Sequence, residues 1–344
     1  MSSEIGRSVR TRTPRKASRH SPTTTAHGTP LVARFPALAR LPRAALGCYP
    51  TPVLALRKVS PSLWIKRDDL CADPMGGNKA RALEFLLADL RPGDQVVTVG
   101  STGSTHALAV AVYAKRLGAR VSVGRWQQEM NSTATRVARQ LEESTERAPI
   151  FRSPIGAYVW AWRRRRRGAR WIPAGGSTPL GILGHVNAGL ELVEQIDAGQ
   201  LPPPARVVVP LGTGGTAAGL ALAFRIAQRD IEVVGARVVP RIVGRKRRVL
   251  NLAHRTARLI EHLTGESVPR VRRRDITIAH GTYGGAYGRE TEAAKTAAAR
   301  LQATAAISLD PTYSAKAFAL ALDLASRGPT LFWLTFDSRI LRAP

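Results

Sequence analysis

Two stretches of the sequence hold chemically useful groups at meaningful spacing. The first is Leu211-Gly-Thr-Gly-Gly-Thr-Ala-Ala-Gly219, which follows the apolar run Val207-Val208-Val209. A glycine-rich turn between a strand and a helix presents backbone N–H groups to a phosphate, and the helix N-terminus adds a favourable dipole. Thr213 and Thr216 add hydroxyl donors to the N–H groups around Gly212, Gly214 and Gly215. No Gly-Lys-Ser/Thr follows, and the glycine spacing is not that of a dinucleotide fingerprint. A monophosphate is the natural fit, although an unliganded tight turn would carry the same glycines. The second stretch is Gly76-Gly-Asn-Lys79-Ala-Arg81, preceded by Lys66-Arg-Asp-Asp-Leu70. A lysine between a glycine turn and a helix start sits beside partial positive charge. With partial burial its pKa falls, and the neutral amine becomes a better imine former. Only eight of the 52 basic residues are lysines, so few compete for this role. Lys16 falls in the N-terminal segment, and Lys115, Lys295 and Lys316 fall on helical faces.

The elements that must position these groups alternate along the chain. Short apolar strands are expected at Leu63–Lys66, Gln95–Val99, Arg120–Val123, Arg206–Leu211, Ile231–Val239 and Thr330–Phe336. Helices are expected at about Ala80–Leu90 with Asn78 as its cap, Thr105–Leu117, Ser132–Leu141, 180–199, 215–229, Arg289–Leu301 and Ser314–Ser326. Such alternation implies an α/β architecture of mainly parallel sheets flanked by helices. No internal repeat is visible. Residues 1–40 are rich in Ser, Thr, Arg and Pro with one acid, Glu4, and are expected to be a disordered basic tail. An organelle transit peptide would share that composition.

Among 344 residues, 52 basic groups face 24 acidic ones, for a net charge of +28. The charge is spread over the first 43 residues, Arg163 to Arg167, Arg241 to Arg248 and Arg270 to Arg274. Nucleic-acid binding would gather it on one face with interleaved aromatics, so solvated surface is the simpler reading and a nucleic-acid partner is not expected. No apolar run is long enough to cross a membrane, so no membrane partner is expected. Cys48 and Cys71 make neither a disulfide framework nor a metal-ligand pattern, which suits a reducing cytoplasm.

Taken in order, five motifs resemble the 1-aminocyclopropane-1-carboxylate (ACC) deaminase and D-cysteine desulfhydrase family. They are Lys66-Arg-Asp-Asp with Gly-Gly-Asn-Lys79-Ala-Arg, then Val99-Gly-Ser-Thr-Gly-Ser-Thr-His106, Pro173-Ala-Gly-Gly-Ser-Thr-Pro-Leu-Gly181, the loop 211–219, and Leu309-Asp-Pro-Thr-Tyr-Ser-Ala-Lys316. The resemblance covers about residues 41–338. It implies the two-lobed tryptophan-synthase-β-like fold (fold type II) and pyridoxal 5'-phosphate (PLP) as cofactor. It further implies a large lobe of 41–89 plus 181–344, a small lobe of 90–180, and, by analogy, a homodimer. Lys79 would hold the cofactor through its amine and later move the substrate proton. Asn78 would pack at the cofactor, and Gly212, Thr213, Gly214, Gly215 and Thr216 would bind its phosphate. Ser104 would contact the substrate carboxylate or act in proton transfer. Tyr287 and Tyr313 match the family's two active-site tyrosines, 26 residues apart.

Three departures bear on the substrate. Thr105 stands where the family has an asparagine facing the cofactor's ring oxygen. The segment Gly288-Arg-Glu-Thr-Glu replaces a proline-containing run. Ser314 follows the second tyrosine, where ACC deaminases have a glutamate that keeps the ring nitrogen protonated. A neutral hydroxyl holds that charge less well, which favours D-cysteine-type β-elimination to pyruvate, ammonia and sulfide over opening a cyclopropane. ACC deamination is the alternative. A PLP-binding protein with weak or lost catalysis, or a polyanion binder on the same scaffold, would be a protein of another class.

Overall fold

The computed structural model describes residues 28–73 and 75–341. Among these residues the strands are β1 (Val53–Ala55), β2 (Leu63–Arg67), β3 (Gln95–Ser101), β4 (Arg120–Trp126), β5 (Ile150–Phe151), β6 (Arg170–Ile172), β7 (Arg206–Leu211), β8 (Glu232–Arg237), β9 (Ile276–Ala279) and β10 (Thr330–Leu334). The helices are α1 (Pro30–Arg34), α2 (Asn78–Leu86), α3 (Thr105–Arg116), α4 (Ser132–Glu143), α5 (Pro154–Arg166), α6 (Pro179–Asp197), α7 (Gly215–Ile226), α8 (Lys246–Thr264), α9 (Glu292–Ala305) and α10 (Ser314–Ala325).

Two sheets result. One runs β1-β2-β10-β7-β8-β9 and the other β5-β4-β3-β6. Every pairing is parallel except that of the edge strand β1 with β2. The strands of the smaller sheet all fall between residues 95 and 172. Helices cover both faces of the larger sheet, which is why β7 can be continuously apolar. Val207 and Val209 pack into the cluster containing Leu220 and Phe224 of α7, while Val208 turns to Phe318 and Phe332 on the other face. No helix among the described residues is long and apolar enough to cross a membrane.

The expected elements are present with ends shifted by a few residues, and three differences matter. Of the expected disordered tail, residues 1–27 lie outside the described residues, but Pro30–Arg34 is helical and Pro36–Arg40 forms a 3-10 turn. Leu31, Phe35 and Leu38 are buried there at 2%, 0% and 3% exposure. They stand at i, i+4 and i+7, one apolar stripe among arginines and prolines. Thr29 caps the segment by accepting from Val32 N, and the Leu31 N–H donates to Asn187 Oδ1 on α6. Second, Asn78 is not a cap: Gly77 holds that position at φ 125, and the Asn78 side chain is used elsewhere. Third, α8 and β9 arise around two of the basic runs and were not expected. The signal of α8 was the buried row Val249, Leu252, Ala253, Thr256, Ala257 and Ile260, hidden between charged residues.

Candidate active site

A cavity of about 810 Å³ opens between the C-terminal ends of the two sheets. Lys79 enters it from the first turn of α2. That turn is shaped by Gly76 and Gly77, which lie against the far end of the chain. The Asn78 N–H donates to Thr335 O at 3.1 Å, and Gly77 bridges Phe336 in antiparallel fashion. A Cβ at Gly76 would collide with Asp69 O, and one at Gly77 with Thr335 O. The pair of glycines is therefore a close-approach requirement that holds Lys79 at a fixed point.

Beneath α2 lies a buried ionic network that explains the Lys66-Arg-Asp-Asp motif. Lys66 Nζ donates to Glu191 Oε1 and Gln195 Oε1, both at 2.5 Å, and to Thr51 O at 2.7 Å. Arg81, two residues beyond Lys79, donates to Asp68 Oδ1 at 2.6 Å and to Glu191 Oε2 at 2.9 Å. The guanidinium also stacks 4.2 Å from the Tyr49 ring. All four charges are almost fully buried and pair two by two, so α2 is anchored to α6 and to the start of the larger sheet.

Lys79 itself makes no hydrogen bond or ion pair among the described residues, and it lines the cavity. Burial pulls its amine from the ordinary 10.5 down to about 8. Two histidines stand close enough to feel its charge. His106 on α3 and His185 on α6 are both driven down to about 3, by burial first and then by Lys79, so both are neutral near pH 7. Their role was not read from the sequence. His106 lay inside a quoted motif, while His185 carried no local signal. Because imine formation needs the neutral amine, cofactor loading of apoprotein is expected to speed up as pH rises and level off above pH about 8. Stopped-flow absorbance after mixing with PLP, across pH 6 to 10 (a range of about four units around that pKa), measures this.

Opposite, the loop after β7 is built as the sequence suggested. Gly214, at φ 93, is the N-cap of α7, and Gly215 begins the helix. Gly212 has open space where a Cβ would be, so the loop backbone faces the cavity bare. Thr216 Oγ1 accepts from Asn78 Nδ2 at 2.8 Å, tying the loop to the residue before Lys79. Thr213 Oγ1 shares a 2.6 Å hydrogen bond with Ser177 Oγ, a hydroxyl from the quoted 173–181 motif to which no role had been given. A helix N-terminus, free loop N–H groups and three hydroxyls make a donor set that fits a phosphate monoester. Glu129 is the one carboxylate lining the cavity among the described residues, and it pairs with Arg289.

The third wall comes from α3 and from the segments around Tyr287 and Tyr313. Ser104 caps α3 by accepting from Ala107 N at 3.3 Å, and both Ser104 and Thr105 line the cavity. The hydroxyls of Tyr287 and Tyr313 meet directly, with the rings edge-to-face at 5.9 Å between centroids. Burial raises the Tyr313 phenol well above its ordinary range, opposed by the hydroxyl of Thr105. Asp310 accepts from the N–H groups of Tyr313 and Ser314, fixing the start of α10. Lys316 reaches back to Tyr283 O at 2.9 Å and steadies the loop that carries Tyr287.

Lys79, Asn78, Ser104, Thr105, Tyr287, Tyr313, Gly212, Thr213, Gly214, Gly215 and Thr216 thus line one cavity. Ser314 does not. It is fully buried at the start of α10, where its N–H donates to Asp310 Oδ2 at 3.0 Å. Other lining residues, such as Trp126, Gln128 and Arg248, carried no local signal of a site.

Comparison with known proteins gives the family and the fold. Residues 44–330 match the family described as "Pyridoxal-phosphate dependent enzyme". The chain is 32% identical over 317 residues to the D-cysteine desulfhydrase of Salmonella paratyphi A, covering 86% of this chain and 94% of that protein. The same figures hold for the enzyme of Salmonella typhi. A solved ACC deaminase homologue superposes with a TM-score of 0.74 at 29% identity, over 89% of this chain and 94% of that one. The processed form of threonine deaminase isoform 2 from Solanum lycopersicum, at 15% identity and a TM-score of 0.59 over 89% of this chain and 84% of that one, shares the fold.

Proposed function

The chain belongs to the family of pyridoxal-phosphate dependent enzymes, and on that premise we propose that it is a lyase converting D-cysteine and water to pyruvate, ammonia and sulfide. The observation that carries this reading is one cavity holding a partnerless lysine amine, a phosphate-shaped loop and a pair of touching tyrosine hydroxyls. When bound, PLP supplies an electron sink for charge developing at the substrate α-carbon.

The protein's own groups divide the remaining work. Lys79, with its amine brought down to about 8, moves a proton at the α-carbon near neutral pH. Ser104 and Thr105, at the N-terminus of α3, hold the substrate carboxylate with their hydroxyls and the helix dipole. The hydroxyls of Tyr287 and Tyr313 lie side by side at the cavity, and one of them gives its proton to the leaving sulfur. Position 314, which the resemblance places at the ring nitrogen, holds a neutral serine and not a carboxylate. That supports elimination of a good leaving group over ACC deamination, the second reading, which rests on the superposition with an ACC deaminase homologue.

The same reading takes the lobes as 90–180 and 41–89 with 181–344, with Pro30–Arg40 added to the larger one on the strength of its buried stripe. It also takes the protein as a homodimer by fold analogy. A cytoplasmic setting suits the two free cysteines, Cys48 being exposed.

The test is turnover by PLP-loaded protein, following pyruvate and sulfide from D-cysteine, with L-cysteine and ACC in parallel. Pyruvate and sulfide from D-cysteine are expected. Production of 2-oxobutanoate from ACC instead would favour the second reading. Bound cofactor absorption without turnover of any of them would leave a binding protein.

A further inference from the structure

The basic run Arg241 to Arg248 has no part in the chemistry above, yet it ends at the cavity. Arg245 is the N-cap of α8, and Lys246, Arg247 and Arg248 fill its first turn with no acidic residue among them. Four cations at a helix N-terminus oppose the helix dipole, which favours anions there. Breaks in a local rule of this kind are expected where a site compensates them.

The first turn of α8 packs on the phosphate loop. Arg248 Nε donates to Thr213 O at 3.2 Å, and a Cβ at Gly214 would lie 3.0 Å from Val249 Cγ2. Arg248 lines the cavity beside Gly212 to Thr216 and forms no ion pair among the described residues. Apart from Lys79, no other lysine or arginine lines that cavity among the described residues.

Resting on the cofactor reading above, we propose that Arg248 is a cationic arm of the phosphate site, closing over the cofactor's phosphate from α8. With Nε on Thr213 O, the two Nη groups remain to donate to phosphate oxygens. An arginine fork suits such a group, whose charge is about −1.5 to −2 near neutral pH. The loop N–H groups and the α7 dipole supply only partial charges, so a full charge on the open side adds affinity for the phosphate and none for the ring.

The test is equilibrium titration of apoprotein with PLP and with pyridoxal, which lacks the phosphate, read by absorbance. Wild type is compared with Arg248→Gln and Arg248→Lys. Arg248→Gln is expected to raise the PLP dissociation constant about tenfold while moving that for pyridoxal by less than about twofold. Arg248→Lys should fall between, and the gap between wild type and Arg248→Gln should shrink as salt is added. Equal PLP affinity in all three proteins would overturn the role of Arg248 and leave the cofactor site standing. Parallel loss of PLP and pyridoxal would overturn it too, marking a structural arginine. Wild type that binds no PLP at all would remove the cofactor reading and this inference together.

Discussion

Lys79→Ala is expected to lose the visible absorption of bound PLP and to cut pyruvate formation from D-cysteine by about 10³- to 10⁴-fold. The size of the effect follows from the lack of a substitute. Of the other lysines, Lys66 is locked between Glu191, Gln195 and Thr51, and Lys316 is held on Tyr283 O. No lysine other than Lys79 lines the cavity among the described residues. The neighbouring histidines are neutral and too acidic as imidazolium, at about 3, to replace a base that works near neutral pH. A small primary amine added to the variant should restore part of the rate, because it supplies the missing base without the tether. Variant turnover above a tenth of wild type would remove Lys79 from the mechanism.

Glu191→Leu is expected to cost about 3–5 kcal/mol of unfolding free energy, since it strands buried charge. Glu191 Oε1 accepts from Lys66 Nζ, Thr51 N and Arg81 Nη2, and Oε2 accepts from Arg81 Nη1. Without it, two buried cations share Asp68 alone. Burial by itself would raise the Glu191 pKa, but Arg81 and Lys66 outweigh it and hold the carboxyl at about 2, against an ordinary 4.5. A depressed folded pKa stabilises the fold above the unfolded value and loses that contribution as pH falls through the folded one. The gap between wild type and variant should therefore be full at pH 7 and narrow between about 4.5 and about 2. Urea unfolding at neutral pH and at points inside that window measures it. A neutral-pH difference below about 1 kcal/mol, the scale of a surface pair, would show that the network is not the anchor of α2.

Because α2 carries both Arg81 and Lys79, the two predictions are linked. The network is the physical reason that a flexible side chain such as Lys79 is presented at a fixed point. Any variant that weakens the network is also expected to blur the position of that amine, which is why stability and activity have to be measured on the same protein.

Much of the site was legible because its parts are local. Gly212 to Thr216 announce themselves as a strand-to-helix turn, and Gly76-Gly77-Asn78-Lys79 as a close-packed helix entry, within a few consecutive residues. The resemblance then extended to Ser104, Tyr287 and Tyr313. What was misread also has local causes. Leu31, Phe35 and Leu38 were masked by a tail-like composition, and Asn78 looked like a cap because asparagine is a good one.

The sequence alone determined the alternation of strands and helices, the phosphate-shaped turn and the lysine, since each depends on residues that are neighbours in the chain. Only the tertiary structure decided which distant groups meet. The Lys66–Glu191 pair closes across 125 residues, the Asn78–Thr216 bond across 138 and the Arg248–Thr213 bond across 35. That Ser314 is fully buried and not among the residues lining the cavity was likewise decided by the fold. Hydrogen bonds and desolvation act over a few ångströms, so partners brought together by sheet order and helix packing leave no periodic trace in the order of residues.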